Sequence, residues 1–152
     1  MRRVGLVEGY PVTIEETVRW GDMDAFQHVN NAIFFRFFES CRIAYFYALG
    51  DPGFVTNIGV GPIVAETSCR FKIPVTHPDT LSVGVRTAAW YDYGFIQEYV
   101  IVSKQHSAVA ATGSARVVTF DYAHQTKVKV PDNIRRIIER LEGRELPQSA
   151  SG

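Results

Sequence analysis

The sequence predicts an α+β fold in which a curved antiparallel sheet of five strands wraps around one long central helix. Residues 31–49 have the length of a helix, and apolar side chains occupy most of its circumference, so that it needs cover on nearly every side. Four strands are predicted after it, the first two from a two-residue alternation of their side chains. Their connections are short, which favours antiparallel neighbours.

The first two elements follow from local patterns. Residues 12–20 alternate between two faces, which predicts the first strand. The helix over residues 31–49 is predicted to stop at residues 50–53, whose sequence Gly-Asp-Pro-Gly does not continue a helix. Its few polar residues fall on one stripe, at spacings of three and four: Arg36, Glu39 and Ser40.

The second half of the chain supplies the rest of the sheet and a terminal helix. Strands are predicted over residues 63–73, 81–90, 95–104 and 109–122. Gly113 lies within the last of them and predicts a β-bulge there. After Pro131, apolar residues at helical spacing predict a second helix, which Gly143 ends.

Composition bounds the domain organisation and the partners. The 152 residues are 46% hydrophobic and 21% charged, typical of a globular chain. We expect a single domain over residues 1–142 and a disordered tail over residues 143–152, which are mostly small and polar. Sixteen basic residues balance sixteen acidic ones, so no electrostatic argument favours nucleic acid or a membrane as a partner.

Cysteine usage and the N-terminus indicate a reducing compartment. Cys41 and Cys69 lie in apolar runs without a CxxC spacing, which predicts buried free thiols rather than a disulfide. The first residues form no apolar signal segment, and Arg36, Glu39 and Arg42 argue against a membrane-spanning helix. We therefore expect a cytoplasmic protein.

The densest group of chemically active side chains lies in residues 22–31, directly before the long helix. Asp24 is an ionised carboxylate at neutral pH, able to activate water or to attack a carbonyl carbon. Asn30 or Asn31 is a good helix N-cap, which places backbone N–H donors six or seven residues beyond Asp24. Such donors stabilise a developing oxyanion. The arrangement predicts an acyl-transfer site.

Other interpretations of the same residues remain open. Asp22 is predicted to bond to the loop backbone, and Asn30, Asn31 and His28 are each compatible with a structural role. A metal site formed by Asp22, Asp24 and His28 lacks a further ligand at suitable spacing. No glycine-rich phosphate loop and no G-x-S-x-G nucleophile motif occur in the sequence, and we expect no cofactor.

The motif resembles a known family. Residues 19–24 (Arg-Trp-Gly-Asp-Met-Asp), residues 28–31 (His-Val-Asn-Asn), and Glu39 and Arg42 on the helix resemble hotdog-fold acyl-CoA thioesterases of the 4-hydroxybenzoyl-CoA thioesterase and YbgC-like branch. Residues 70–74 (Arg-Phe-Lys-Ile-Pro), followed by Asp79, are similar as well, so that the resemblance covers residues 12–122.

The resemblance implies a fold, a reaction and an assembly. It implies hydrolysis of an acyl-CoA thioester without metal or organic cofactor, in a homodimer or tetramer with one continuous sheet and active sites at the dimer interface. Asp24 matches the catalytic carboxylate, which acts as nucleophile or general base. Asn31 matches the position whose backbone N–H polarises the thioester carbonyl, and His28 matches a histidine beside the thioester.

Two departures and three rival functions complete the predictions. Gln27 stands where the family often carries glycine, so the local turn is expected to differ or an extra polar group to enter the site. Phe26 replaces a polar residue of acyl-carrier-protein thioesterases, which favours a Coenzyme A ester over a carrier-protein ester. A non-catalytic acyl-CoA-binding protein and a dehydratase of 3-hydroxyacyl thioesters on the same fold are the remaining alternatives.

Overall fold

The computed structural model describes residues 5–55 and 59–149. Within them it forms one antiparallel sheet and two helices of more than ten residues, α1 (Asn31–Ala48) and α2 (Asp132–Glu142). The strands are β1 (Val12–Thr17), β2 (Val60–Phe71), β3 (Thr80–Tyr91), β4 (Gly94–Ser103), β5 (Ala108–Asp121) and β6 (Thr126–Lys127). Two short 3-10 turns cover Trp20–Asp22 and Pro52–Val55. The predicted α+β class, with an antiparallel sheet, is confirmed.

Over the described residues the sheet has six strands rather than the predicted five. Its order is β1-β3-β4-β5-β2, and β6 pairs with the last two residues of β5. A two-residue strand is too short to show an alternating pattern, which is why β6 was not predicted. β1 and β2 are the edge strands, and β2 is twice as long as β1, with 12 residues against 6.

Gly113 does not form the predicted bulge. It pairs in register with Cys69 on β2 and with Tyr99 on β4, and the sheet's register shifts lie elsewhere. A Cβ atom at Gly113 would overlap the ring of Phe38 on α1 and lie 2.7 Å from the carbonyl oxygen of Ser68. The glycine is therefore required by the close approach of α1 to the sheet.

α1 packs along one face of the sheet through fully buried side chains. The Phe38 ring stacks on Tyr99 of β4 with 4.6 Å between centroids. Cys41 donates a hydrogen bond of 3.3 Å from its Sγ to the carbonyl of Val83 on β3. Burial raises the pKa of the Cys41 thiol to about 12, so that this group is an inert core residue.

One stripe of α1 stays exposed in the single chain, although the sequence predicted cover on nearly every side. It consists of Ala32, Arg36, Glu39, Ile43 and Tyr47. The sheet covers only the opposite side of the helix, because it ends at β2. Neither helix of the described ranges is both long and apolar enough to cross a bilayer.

Part of the segment predicted as a disordered tail, residues 143–152, makes contacts with α2 and β3. Leu146 is buried, and its N–H donates to the Glu139 carboxylate at 3.0 Å. Residues 147–149 bond to the backbone of Trp90 on β3, at 2.8 and 2.6 Å. These side-chain and strand contacts stabilise a segment whose small polar composition indicated a free tail. Residues 150–152 lie outside the described part.

Candidate active site

Residues 23–29, between the first 3-10 turn and α1, form a tight hairpin. Met23 and Val29 bridge as antiparallel neighbours, and the Asp24 N–H donates to the carbonyl of His28 at 2.9 Å. The Gln27 N–H closes the loop by donating to the carbonyl of Asp24 at 3.0 Å. The hairpin therefore fixes Asp24 and His28 opposite each other, directly before the helix.

Asp22 holds this hairpin in place. Its buried carboxylate accepts hydrogen bonds from the Arg19 N–H at 3.0 Å and from the Arg36 guanidinium on α1 at 3.2 Å. Its carbonyl accepts the Asn30 N–H at 2.9 Å. Both ends of the loop and the first turns of α1 are thus tied to one residue. Asp22 has the scaffold role that the sequence predicted.

Asp24 keeps part of its carboxylate free. The side chain is half-buried, and its Oδ1 accepts the Phe26 N–H at 2.9 Å. Its second oxygen, Oδ2, accepts no hydrogen bond from residues 5–55 or 59–149. A carboxylate held by one oxygen and open at the other is able to act on a bound substrate or water.

The helix N-terminus beside Asp24 has an unused donor. Asn30, rather than Asn31, is the N-cap, and its Oδ1 accepts the Ala32 N–H at 2.9 Å. The Ile33 N–H donates to the Asn30 carbonyl at 2.9 Å. The Asn31 N–H finds no acceptor among the described residues, so it remains available for a ligand oxygen.

The three predicted site residues therefore lie within one hairpin and the adjoining helix start. Asp24 and His28 are joined through their backbones, and Asn31 follows three residues later. His28 is exposed and makes no side-chain hydrogen bond within the described ranges. Those ranges also contain no group of three His, Cys, Asp or Glu side chains placed to hold a metal ion.

Gln27 adopts the backbone conformation that glycine favours. Its φ is 69°, in the left-handed region, at the position where a three-residue hairpin commonly carries glycine. The hairpin therefore places a non-glycine residue in the left-handed region. A non-glycine residue in this region costs about 1 kcal/mol or more.

Replacing Gln27 by glycine is expected to stabilise the protein. The relief of left-handed strain exceeds the entropy that glycine adds to the unfolded chain, which leaves a gain of about 0.5 kcal/mol. Urea unfolding measures this gain in the free energy of unfolding. Gln105→Gly is the matched control, because Gln105 is exposed and has a negative φ, so that change is expected to destabilise by about 0.5–1 kcal/mol. A loss of stability in Gln27→Gly would contradict the backbone strain that we assign to Gln27.

A groove between α1 and β2 was not predicted as part of the site. It has a volume of about 360 Å³. Its walls are mainly apolar, and two charged side chains of α1, Glu39 and Arg42, line it. The sequence showed both residues in the family motif, and Glu39 also on the polar stripe of the helix. Their position beside β2 depends on long-range pairing, which the local pattern does not contain.

Comparison with known proteins decides the family. The model of the thioesterase-like superfamily matches residues 18–138, well over half of the chain. The chain belongs to the thioesterase-like superfamily. The match includes the hairpin, α1 and the strands β2 to β6, and it begins directly after the end of β1. Among curated proteins, none matches the chain.

Solved structures agree with membership of the thioesterase-like superfamily. A thioesterase from Thermus thermophilus, solved with coenzyme A and Zn, is 31% identical; the comparison has a TM-score of 0.81 and covers 91% of this chain and 99% of that one. A putative thioesterase from Pseudomonas aeruginosa is 29% identical, with a TM-score of 0.75 and coverage of 85% and 98%.

A third structure shows the fold alone. It belongs to the thioesterase superfamily, comes from Jannaschia sp. CCS1 and is 18% identical, with a TM-score of 0.83 and coverage of 95% of this chain and 91% of that one. The antiparallel sheet with two helices fits the α+β hotdog fold. Family and neighbours together support a thioester hydrolase.

Proposed function

We propose that this protein is an acyl-CoA thioesterase of the 4-hydroxybenzoyl-CoA thioesterase and YbgC-like branch, and that it hydrolyses a thioester to a free acid and CoA. The observation that carries the proposal is the half-buried Asp24 carboxylate, placed just before the start of α1. Its Oδ2 and the Asn31 N–H both lack a hydrogen-bond partner among the residues that the structure describes. Binding of coenzyme A by the 31% identical thioesterase supports a CoA ester.

The proposed chemistry begins at the thioester carbonyl. The Asn31 N–H stabilises the negative charge that develops on the carbonyl oxygen, helped by the partial positive charge of the α1 N-terminus. Asp24 either attacks the carbonyl carbon, forming an anhydride that water then cleaves, or removes a proton from an attacking water. In both routes the carbon–sulfur bond breaks and the CoA thiolate takes up a proton. His28 positions the substrate or the water.

Thiol release from a panel of acyl-CoA esters tests this reaction. We expect the purified protein to release free thiol from at least one aromatic, short or long acyl-CoA. The same acyl groups attached to acyl-carrier protein are expected to react more slowly. Saturable binding of an acyl-CoA without thiol release would instead identify a non-catalytic binding protein, and faster release from the carrier protein would overturn the CoA assignment.

The long free edge of β2 supports a homodimer. Within residues 5–55 and 59–149, β2 pairs with β5 on one side only, and Ile63, Val64 and Phe71 on it are exposed. The exposed stripe of α1 lies beside this strand. An unpaired edge of this length needs cover, and a second copy of β2 supplies it by forming one continuous sheet around both helices. We propose this dimer, alone or as half of a tetramer.

Light scattering behind a sizing column measures the assembly. We expect a mass of two or four times the 17.1 kDa chain. Val64→Asp is expected to lower that mass, because it places a charge in the proposed interface. Thr13→Asp is the control, since Thr13 is exposed on the opposite edge strand. A monomeric protein would exclude the dimer, and dissociation by Thr13→Asp would move the interface to β1.

A further inference from the structure

A buried chain of hydrogen bonds connects the groove to the C-terminal end of α2. It runs from the guanidinium on α1 to a carboxylate at the end of α2, through Arg42, Tyr99, Gln97, Thr87, Tyr45 and Glu142. Its donor-to-acceptor distances are 3.0, 3.2, 3.3, 2.8 and 2.6 Å in that order. The four residues between the two charged ends are buried almost completely.

The hydrogen bonds of this chain all run in one direction. Each hydroxyl or amide within it accepts a hydrogen bond from the side of Arg42 and donates one toward Glu142. Burial raises the pKa of both the Tyr99 and the Tyr45 hydroxyl, so both retain the proton that they donate. Turning Arg42 away would leave the Tyr99 oxygen without its donor. The chain therefore fixes the orientation of the guanidinium.

Most of the guanidinium remains available in the groove. Arginine has five N–H donors, and Tyr99 is the hydrogen-bond acceptor that Arg42 finds among the described residues. Glu39 also lines the groove, yet no ion pair joins it to Arg42 within the described ranges. The groove thus presents a fixed donor and a nearby acceptor between apolar walls, the composition of a small-molecule site.

The proposed dimer brings this groove to the reacting groups. α1 and β2 run side by side in opposite directions: Phe34, in the first turn of α1, contacts Phe71 at the end of β2, with 5.2 Å between ring centroids. The groove lies at the other end, where β2 begins. Antiparallel pairing of two β2 strands sets the beginning of one beside the end of the other. Each groove then lies beside the partner's Asn31.

We propose that Arg42 is a specificity-determining residue, oriented by the buried chain, and that with Glu39 it selects acyl groups carrying a neutral polar group over plain hydrocarbon ones. This rests on the proposed function. A neutral hydroxyl accepts from Arg42 and donates to Glu39, whereas a carboxylate is repelled by Glu39 and an ammonium group by Arg42. A hydrocarbon chain leaves both charged groups desolvated without a partner.

Matched esters test the selection. We expect kcat/KM for 6-hydroxyhexanoyl-CoA to exceed that for hexanoyl-CoA about tenfold or more, and the same for 4-hydroxyphenylacetyl-CoA against phenylacetyl-CoA. Arg42→Met is expected to bring at least one of these ratios close to one, mainly by raising KM for the hydroxylated ester. Arg136→Met, which removes an exposed arginine of α2, is the control and is expected to leave the ratios unchanged.

Two further variants separate positioning from general damage. Tyr99→Phe keeps the ring that stacks on Phe38 but removes the hydroxyl that holds Arg42, and it is expected to lower the same ratio at least threefold. Glu39→Gln removes the exposed negative charge and is expected to improve binding of adipoyl-CoA, which ends in a carboxylate. If the hydrogen-bond chain had only a structural role, Tyr99→Phe would lower kcat/KM for all esters alike.

The outcomes distinguish this inference from the proposed function. Hydrolysis with no hydroxyl preference, or with ratios unchanged in Arg42→Met, overturns the inference and leaves the hydrolase intact. If no ester is hydrolysed, the proposed function fails. Calorimetry then compares the affinities of non-cleavable thioether analogues of hexanoyl-CoA and 6-hydroxyhexanoyl-CoA, which tests the selection without hydrolysis. Equal affinities would reject it, and a preference that Arg42→Met abolishes would support it.

Discussion

Replacing Asp24 by Asn is expected to lower kcat/KM for the preferred acyl-CoA by about 1000-fold, the middle of the usual range for loss of a catalytic base. The amide neither attacks a thioester nor takes a proton from water. Its Oδ1 still accepts the Phe26 N–H, so the hairpin is retained. Steady-state thiol release measures the loss, and circular dichroism checks that the midpoint of thermal unfolding is unchanged.

Asp92→Asn is the matched control for this change. Asp92 is an exposed aspartate in the turn between β3 and β4, so the same chemical substitution there is expected to leave kcat/KM within about twofold. The Asp24 prediction depends on the difference between the two variants. More than one tenth of the activity remaining in a folded Asp24→Asn would remove Asp24 from the chemistry. The Asn31 N–H would then be left as the principal candidate group.

The elements of the sheet and helices could be predicted because their side chains repeat over many residues. The helix predicted over residues 31–49 is observed over Asn31–Ala48, and the strand predicted over residues 81–90 is observed over Thr80–Tyr91. The strand predicted over residues 63–73 begins earlier in the structure, at Val60. The prediction missed its first residues because a Gly-Pro pair interrupts the alternating pattern there. In each case local periodicity determined the prediction.

Features that depend on distant residues could not be predicted. Tyr45 and Glu142, for example, are 97 positions apart, and no local pattern pairs a helix tyrosine with a terminal carboxylate. The buried position of Leu146 depends in the same way on distant contacts, with Glu139 and with β3. Within the site, Asp24, His28 and Asn31 remain predictions. The structure adds that the Asp24 Oδ2 and the Asn31 N–H have no hydrogen-bond partner in the described part of the chain.

Gly113→Ala is expected to destabilise the protein by about 3 kcal/mol, the largest stability effect that we expect. The φ of Gly113 is not positive, so the backbone allows alanine, and the cost comes from overlap of the new methyl group with Phe38. That ring is fully buried and stacked on Tyr99, and the Ser68 carbonyl, only 2.7 Å from the added atom, belongs to the backbone. Neither neighbour moves freely. Urea unfolding measures the loss.

A double-mutant cycle identifies the cause of that loss. Phe38→Leu shortens the side chain, so Gly113→Ala is expected to cost at least about 1 kcal/mol less in that background than in the wild type. Gly21→Ala is the control, because a Cβ atom at Gly21 meets nothing within 4 Å, and it is expected to change stability by no more than about 0.5 kcal/mol. Equal losses in both backgrounds would show that the Phe38 contact does not require glycine. Because α1 carries both Asn31 and Arg42, a helix displaced by the methyl group is also expected to lower kcat/KM in the protein that still folds.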